Sequence, residues 1–368
     1  MSESKPGMLR RLAPAAIAAG LALWLAASPA AVAKKAPDDF FGISPAAVVG
    51  TDELDRMQSA DVRLLRFPFF WPILEPEAPN DRPPAETIRF SRFDPLVLEA
   101  ARRGIRILPY VYGTAPWVAS SPTTPPNQSG DGRRAWKRLL RALRDRYGPG
   151  GSLWEENPDV DPLPVKWWQI WNEPNSAAYW KQSSRAPERY AKLLELSDRT
   201  LDRAPGTAKL IAAGLFGSPT HGMYMHRFLR RLYDVKGIEK HFDVLALHPY
   251  GPSIKGTRLQ MRLGHREIER ARDRTPVWVT EIGWPTEGHP DNPYYTTPQQ
   301  QARRLRTAFD LMLENRKRWG VRRVIWYTWR DNNVNPDCDL CRYAGLFDAD
   351  LNPKPSWEEF VRFTGGTP

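Results

Sequence analysis

Apolar residues along this chain fall into short runs, and between the runs they recur every three or four positions. Runs of this length read as strands buried on both faces, and the three-four spacing reads as helices packed on one side. Eight strand candidates can be placed: Phe40–Ile43, Val62–Phe67, Ile105–Tyr110, Lys166–Trp171, Lys209–Ala213, Phe242–His248, Val277–Glu281 and Arg323–Thr328. The helical stretches that follow them are Asp52–Ala60, Phe93–Arg103, Gly132–Tyr147, Pro187–Arg203, Met223–Val235, Leu259–Ala271, Pro298–Trp319 and Ser356–Phe363. Strict alternation of strand and helix is the signature of βα units on a parallel sheet, and eight units predict a single (β/α)8 TIM barrel over residues 34–368.

The loops are unequal in one direction. Stretches after the strands are long and rich in Pro, Trp, Tyr and Asn, as in Trp71–Pro84, Thr114–Asp131 and Trp284–Thr297, whereas helix-to-strand links such as Arg103-Gly104 are brief. In barrels the strand-to-helix loops build the active face. The Pro-rich stretches fall within the alternation, so no second domain is indicated.

Residues 1–33 stand apart from this pattern. Lys5, Arg10 and Arg11 precede an apolar stretch from Leu12 to Ala27, followed by the small-x-small triplet Ala31-Val32-Ala33. This reads as a signal peptide cleaved before Lys34 and predicts a secreted or extracytoplasmic protein of the cell envelope. The apolar stretch is shorter than the roughly 20 residues a spanning helix needs, so no membrane span is expected after cleavage.

Export changes how the only two cysteines are read. Cys338 and Cys341, in a chain leaving the reducing cytosol, predict a short structural disulfide. A thioredoxin-like redox site would want the first cysteine at a helix start, whereas Asn335–Asp339 reads as a loop. Zinc would require further ligands, and the six histidines show no partner spacing, so no metal is expected. The formal charge of +11 is spread along the chain, with no basic block that would point to nucleic acid. An arginine-rich solvated surface accounts for it; a polyanionic glycan, or an anionic cell envelope, is the sharper alternative.

Two carboxylates carry the chemistry. Glu173 ends the fourth strand candidate and Glu281 the seventh, which puts both at the C-terminal mouth of the predicted barrel. Val277, Val279 and Glu281 share parity, so alternation predicts that all three face the barrel interior. Arg66 shares the parity of Leu64 and is placed to hold Glu281 ionised. His248 and Tyr250 share the parity of Val244 and Ala246, and Tyr250 is placed to donate a hydrogen bond to Glu281. Trp71, Trp117, Trp284 and Trp329 fall in or beside strand-to-helix loops, where flat faces can stack on sugar rings. Trp329, with neighbouring Trp326 as its alternative, is the foremost of these, while Trp136, Trp319 and Trp357 read as packing.

Trp171-Asn172-Glu173-Pro174, His248-Pro249-Tyr250, Thr280-Glu281-Ile282-Gly283-Trp284 and Ile325-Trp326-Tyr327-Thr328-Trp329 together resemble the clan A glycoside hydrolases over nearly all of residues 34–368. Ala344-Gly345-Leu346-Phe347-Asp348 with Lys354-Pro355 is most similar to family 39-type bacterial proteins, with family 5 close behind. The resemblance implies Glu173 as acid/base and Glu281 as nucleophile of a retaining hydrolase that needs no cofactor. It further implies that Asn172 contacts the sugar 2-hydroxyl, that Arg66 and Tyr250 flank the nucleophile, that His248 is the sixth-strand histidine, and that Trp329 floors the subsite. The expected partner is an extracellular or envelope oligo- or polysaccharide acted on by a monomer. A glycan-binding barrel without catalysis, or a redox protein using Cys338 and Cys341, are the readings from other classes.

Overall fold

The computed structural model describes residues 1–3, 36–201, 208–289, 291–333, 335 and 338–368, apart from the side chain of Ala213. The chain divides into two units, Met1–Lys35 and Ala36–Pro368. The apolar stretch and cleavage triplet of the expected signal lie outside the described residues.

The second unit is a closed barrel of eight parallel strands in sequence order: β1 Phe41–Ile43, β2 Leu64–Phe70, β3 Arg106–Tyr112, β4 Trp167–Ile170, β5 Lys209–Phe216, β6 Val244–His248, β7 Val277–Ile282 and β8 Val321–Trp326. Helices follow each strand, the longest being Gly130–Tyr147, Ala186–Leu201, Ile254–Ala271 and Pro298–Trp319. The predicted (β/α)8 architecture is therefore borne out, with element ends moved by a few residues. The largest helical shift has a local cause: the sixth helix starts at Ile254 instead of Leu259, because the Ser253 side chain accepts from the Gly256 amide and caps it. No helix among the described residues is long and apolar enough to cross a membrane.

Two apolar layers hold the barrel. Leu64, Leu108, Ile211, Val244, Ala246, Trp278 and Ile325 fill its interior, and a larger shell packs between strands and helices. Burying side chains on both faces is what the near-continuous apolar runs provide.

The predicted parity of β7 is wrong, for an instructive reason. Val277 and Val279 belong to the outer shell, while Trp278 fills the interior. Simple alternation would then turn Glu281 outward. Val279 pairs with Val324 and Ile282 with Trp326, so two residues of β7, Thr280 and Glu281, stand opposite the single residue Ile325. Such a bulge breaks the two-residue period and brings both side chains to the inner side. A second irregularity in β5, between Ala212 and Leu215, sets Gly214 beside β6.

Candidate active site

Glu173 reaches the mouth through an unusual backbone. β4 ends at Ile170, after which Trp171 and Glu173 take left-handed conformations, with φ of 72° and 44°. For non-glycine residues this costs roughly 1–2 kcal/mol each. The surrounding bonds hold it: the Trp171 amide donates to Val111 O (2.8 Å), the Glu173 amide to Gly214 O (3.0 Å), and the Trp171 indole to Tyr179 O (2.9 Å). The turn sends the Trp171 ring outward against Trp136 and Trp180 and frees Glu173 to face inward.

The structure brings together six of the predicted site residues. Arg66, fully buried, donates through Nη1 to Glu281 Oε1 (2.7 Å) and Ser44 Oγ (3.1 Å), through Nε to Gln169 Oε1 (2.8 Å), and through Nη2 to Asn172 Oδ1 (2.7 Å). Its guanidinium carbon also lies 3.8 Å from the centre of the Tyr110 ring. Tyr250 donates its hydroxyl to Glu281 Oε2 (3.1 Å). His248 bridges the two halves: Nδ1 lies 2.7 Å from Glu173 Oε1, and Nε2 lies 2.9 Å from Thr280 Oγ1. One oxygen of Glu173, one of Glu281 and a His248 nitrogen all lie within 4.8 Å of one another.

These settings separate the carboxylates electrostatically. Burial pushes the Glu173 carboxyl well above the usual range, and the neighbouring charge of Glu281 pushes it further. Burial also raises Glu281, but the Arg66 charge and the hydrogen bonds from Arg66 and Tyr250 pull it back. Glu281 therefore ionises first. Burial pushes the His248 imidazole well below its ordinary value, reinforced by Arg66, so it is neutral.

The same three groups are the cluster best able to approach a metal ion, yet the donor set does not suit one. The Arg66 guanidinium already occupies Glu281 Oε1, and a cation would face that buried charge at short range.

The aromatic assignments need correction. Trp329 is fully buried, donates its indole to Glu53 Oε1 (2.8 Å), and packs against Phe347 and Trp357. β8 ends at Trp326, three residues earlier, so Trp329 is carried beyond the mouth into the shell near helix Thr51–Ser59. Trp326 and Trp284 lie 6.1 Å apart on the outer side of the barrel, with their indoles bonded to Ala344 O and Gly251 O. Trp71 is buried as well, and Trp117 bonds to Glu75 O. None of these tryptophans lines the cavity of about 660 Å³ that opens over Glu173 and Glu281. Its aromatic walls are Tyr110, Tyr179, Phe216, Tyr250, Tyr294 and Tyr327.

Several contributors escaped sequence reasoning. Gln169 shares the inward parity of Trp167 and was open to the argument used for Arg66. Thr280 was hidden by the bulge. Gly214 lay one residue past the strand candidate Lys209–Ala213; the strand runs on to Phe216, and a glycine inside a strand marks close approach of another group. A Cβ at that position would lie 1.9 Å from His248 Nε2. Cys338 and Cys341 form the expected disulfide and both border the cavity, but of the expected loop Asn335–Asp339 the last residue opens a short helix, Asp339–Tyr343, with Cys338 as its N-cap, so the first cysteine does stand at a helix start.

Residues 156–355 match the glycosyl hydrolase catalytic core, and the chain belongs to that family. Its closed eight-stranded barrel is the fold that the resemblance to clan A glycoside hydrolases implied. Among solved structures it is similar to a family 39 glycoside hydrolase from Bacteroides cellulosilyticus (20% identity, TM-score 0.61, covering 89% of this chain and 64% of that one). It is also similar to a monomeric β-xylosidase from Caulobacter crescentus (17%, 0.63, 89% and 69%) and to an exo-β-1,4-mannosidase from an Opitutaceae bacterium (16%, 0.62, 89% and 59%). The chain thus spans less than two thirds of the Bacteroides and Opitutaceae proteins. No curated protein matches the sequence.

Proposed function

We propose that this protein is an exported retaining glycosidase that cleaves O-glycosidic bonds of a glycan by double displacement, with Glu281 as nucleophile and Glu173 as acid/base. The observation that carries this reading is the approach of a Glu173 oxygen to within 4.8 Å of a Glu281 oxygen. Retaining enzymes hold their carboxyls roughly 5–5.5 Å apart, whereas inverting ones need about 6.5–9.5 Å to admit a water.

Glu281, ionised with Arg66 and Tyr250 on its two oxygens, attacks the anomeric carbon and forms a glycosyl ester. The leaving oxygen takes the proton of Glu173. That proton must sit on Oε2, because Oε1 faces His248 Nδ1 at 2.7 Å. The arrangement works when neutral His248 carries its proton on Nδ1 and accepts from the Thr280 hydroxyl at Nε2. Ester formation removes the charge of Glu281, the Glu173 acidity rises, and as a carboxylate it activates the water that hydrolyses the ester. Asn172 has its acceptor on Arg66, so it offers the sugar only its Nδ2 donors.

The test is a pair of variants assayed with an aryl glycoside that the wild type hydrolyses. Glu281→Ala abolishes turnover; Glu173→Ala keeps turnover of activated leaving groups, regains rate with azide and yields the retained glycosyl azide. NMR of the first wild-type product shows the retained anomer. An inverted product sinks double displacement, and full activity in either variant sinks the assignment.

A further inference from the structure

The net charge of +11 left an anionic glycan open as substrate. The distribution of charge around the cavity argues otherwise. Among its described wall residues there is no lysine or arginine, and His221 is the one basic side chain. Val334, Pro336 and Asp337, which lie outside the described residues, bring no cation by sequence. Arg66 beneath the floor cannot serve, because it is fully buried and all three of its nitrogens are engaged by Ser44, Gln169, Asn172 and Glu281.

The charges that do face the cavity are negative. Besides the ionised Glu281, Asp339 stands on the wall formed by the disulfide-closed turn. Its Oδ2 accepts from Asn292 Nδ2 (3.0 Å) and from the His289 amide (3.0 Å), and these bonds, with the charge of Arg342 outside the wall, hold its carboxyl below the usual range. Asp339 is thus a fixed anion that ties the loop after β8 to the loop after β7. A cluster of cations, Arg133, Arg189, Lys192 and Arg199, borders instead a separate surface cavity of about 560 Å³ between helices Gly130–Tyr147 and Ala186–Leu201.

We propose, resting on the glycosidase reading above, that the substrate is an uncharged glycan and that this cleft rejects uronic-acid and sulfated chains. The remaining wall suits such a ligand. Tyr179, Phe216, Tyr294 and Tyr327 offer aromatic faces for the C–H faces of sugar rings, and Ser176, Thr220 and Asn335 offer neutral hydrogen-bonding groups for hydroxyls. A substrate carboxylate would lose hydration in the cleft, find no cation to replace it, and meet Asp339 and Glu281.

The experiment compares glycans that differ only in charge. Uronic-acid polysaccharides of several linkages are offered beside their carboxyl-reduced forms and beside neutral xylan, mannan and β-glucan. Reducing ends are measured with wild type, and binding with Glu281→Gln. The expected result is cleavage or binding confined to uncharged chains, with carboxyl reduction raising the rate on a given linkage at least about tenfold. Thr220→Arg, which puts a cation on the wall, narrows that gap. Equal or faster cleavage of a native acidic chain overturns the charge inference and leaves the glycosidase reading standing. Absence of both cleavage and binding for every glycan, charged or neutral, overturns the glycosidase reading and this inference with it.

Discussion

Gly214→Ala is expected to disable the site without touching either carboxylate. The added Cβ would lie 1.9 Å from His248 Nε2, 2.4 Å from Cδ2 and 2.5 Å from Cε1. Carbon and nitrogen atoms in van der Waals contact are about 3.5 Å apart, so the imidazole must withdraw by about 1.5 Å. That movement breaks its bonds to Glu173 (2.7 Å) and Thr280 (2.9 Å), both buried. Overpacking costs about 1–3 kcal/mol and one buried polar group left unpaired about 1–3 kcal/mol more, so the variant should lose about 2–6 kcal/mol of stability. Displacement of Glu173 by this order costs about a hundredfold in rate, and more for poor leaving groups, which depend most on the proton. The assay is a double-mutant cycle with His248→Ala, read by denaturant unfolding and by kcat/KM on good and poor leaving groups. With the imidazole gone, Gly214→Ala should cost little further in either readout. A Gly214→Ala penalty of the same size in both backgrounds would refute the reasoning.

The pH profile of kcat/KM should be a bell whose acidic limb is the ionisation of Glu281 and whose alkaline limb is the deprotonation of Glu173, both lying above the ordinary carboxylate range because burial raises both. Arg66→Met removes the charge that favours ionised Glu281, so the acidic limb should move to higher pH; an unmoved limb would mean that Arg66 does not set it. Trp329→Ala should destabilise by about 3–5 kcal/mol with KM unchanged, whereas Tyr179→Ala should raise KM with a smaller loss of stability, and the opposite pattern would restore Trp329 to the cleft. Thr280→Val should let the His248 ring populate both tautomers in nitrogen NMR and lower kcat mainly for poor leaving groups, with Thr280→Ser restoring both; a ring spectrum identical to wild type would remove Thr280 from the proton path.

The fold was legible because a barrel strand buried on both faces cannot hide its apolar run, and because eight such runs alternated with helical spacing. Positions on β2 and β6 were legible for the same reason, since Arg66 and His248 sit on unbroken two-residue alternation. Glu281 was placed at the mouth correctly by a parity argument that the structure reverses. The bulge between Val279 and Ile282 leaves no mark in residue type, so alternation could not reveal it. The tryptophans failed differently. Indoles in strand-to-helix loops look like sugar platforms, but Trp284, Trp326 and Trp329 each find a buried acceptor for the ring N–H, and that satisfies them inside the shell. Tyrosine, with its hydroxyl at the ring tip, was left to form the wall.

The extra residue in β7 also bears on how such a barrel gains or loses its trade over generations. β8 pairs with β7 on both sides of the extra residue, at Val279 and at Ile282, while β6 pairs up to Val279, so deletion of one codon between them would leave the hydrogen-bonded cylinder closed. What would vanish is the simultaneous inward presentation of Thr280 and Glu281. A lineage could in this way pass from a cutter of sugar chains to a mere holder of them in a single step, with its surface, its loops and its aromatic walls unchanged.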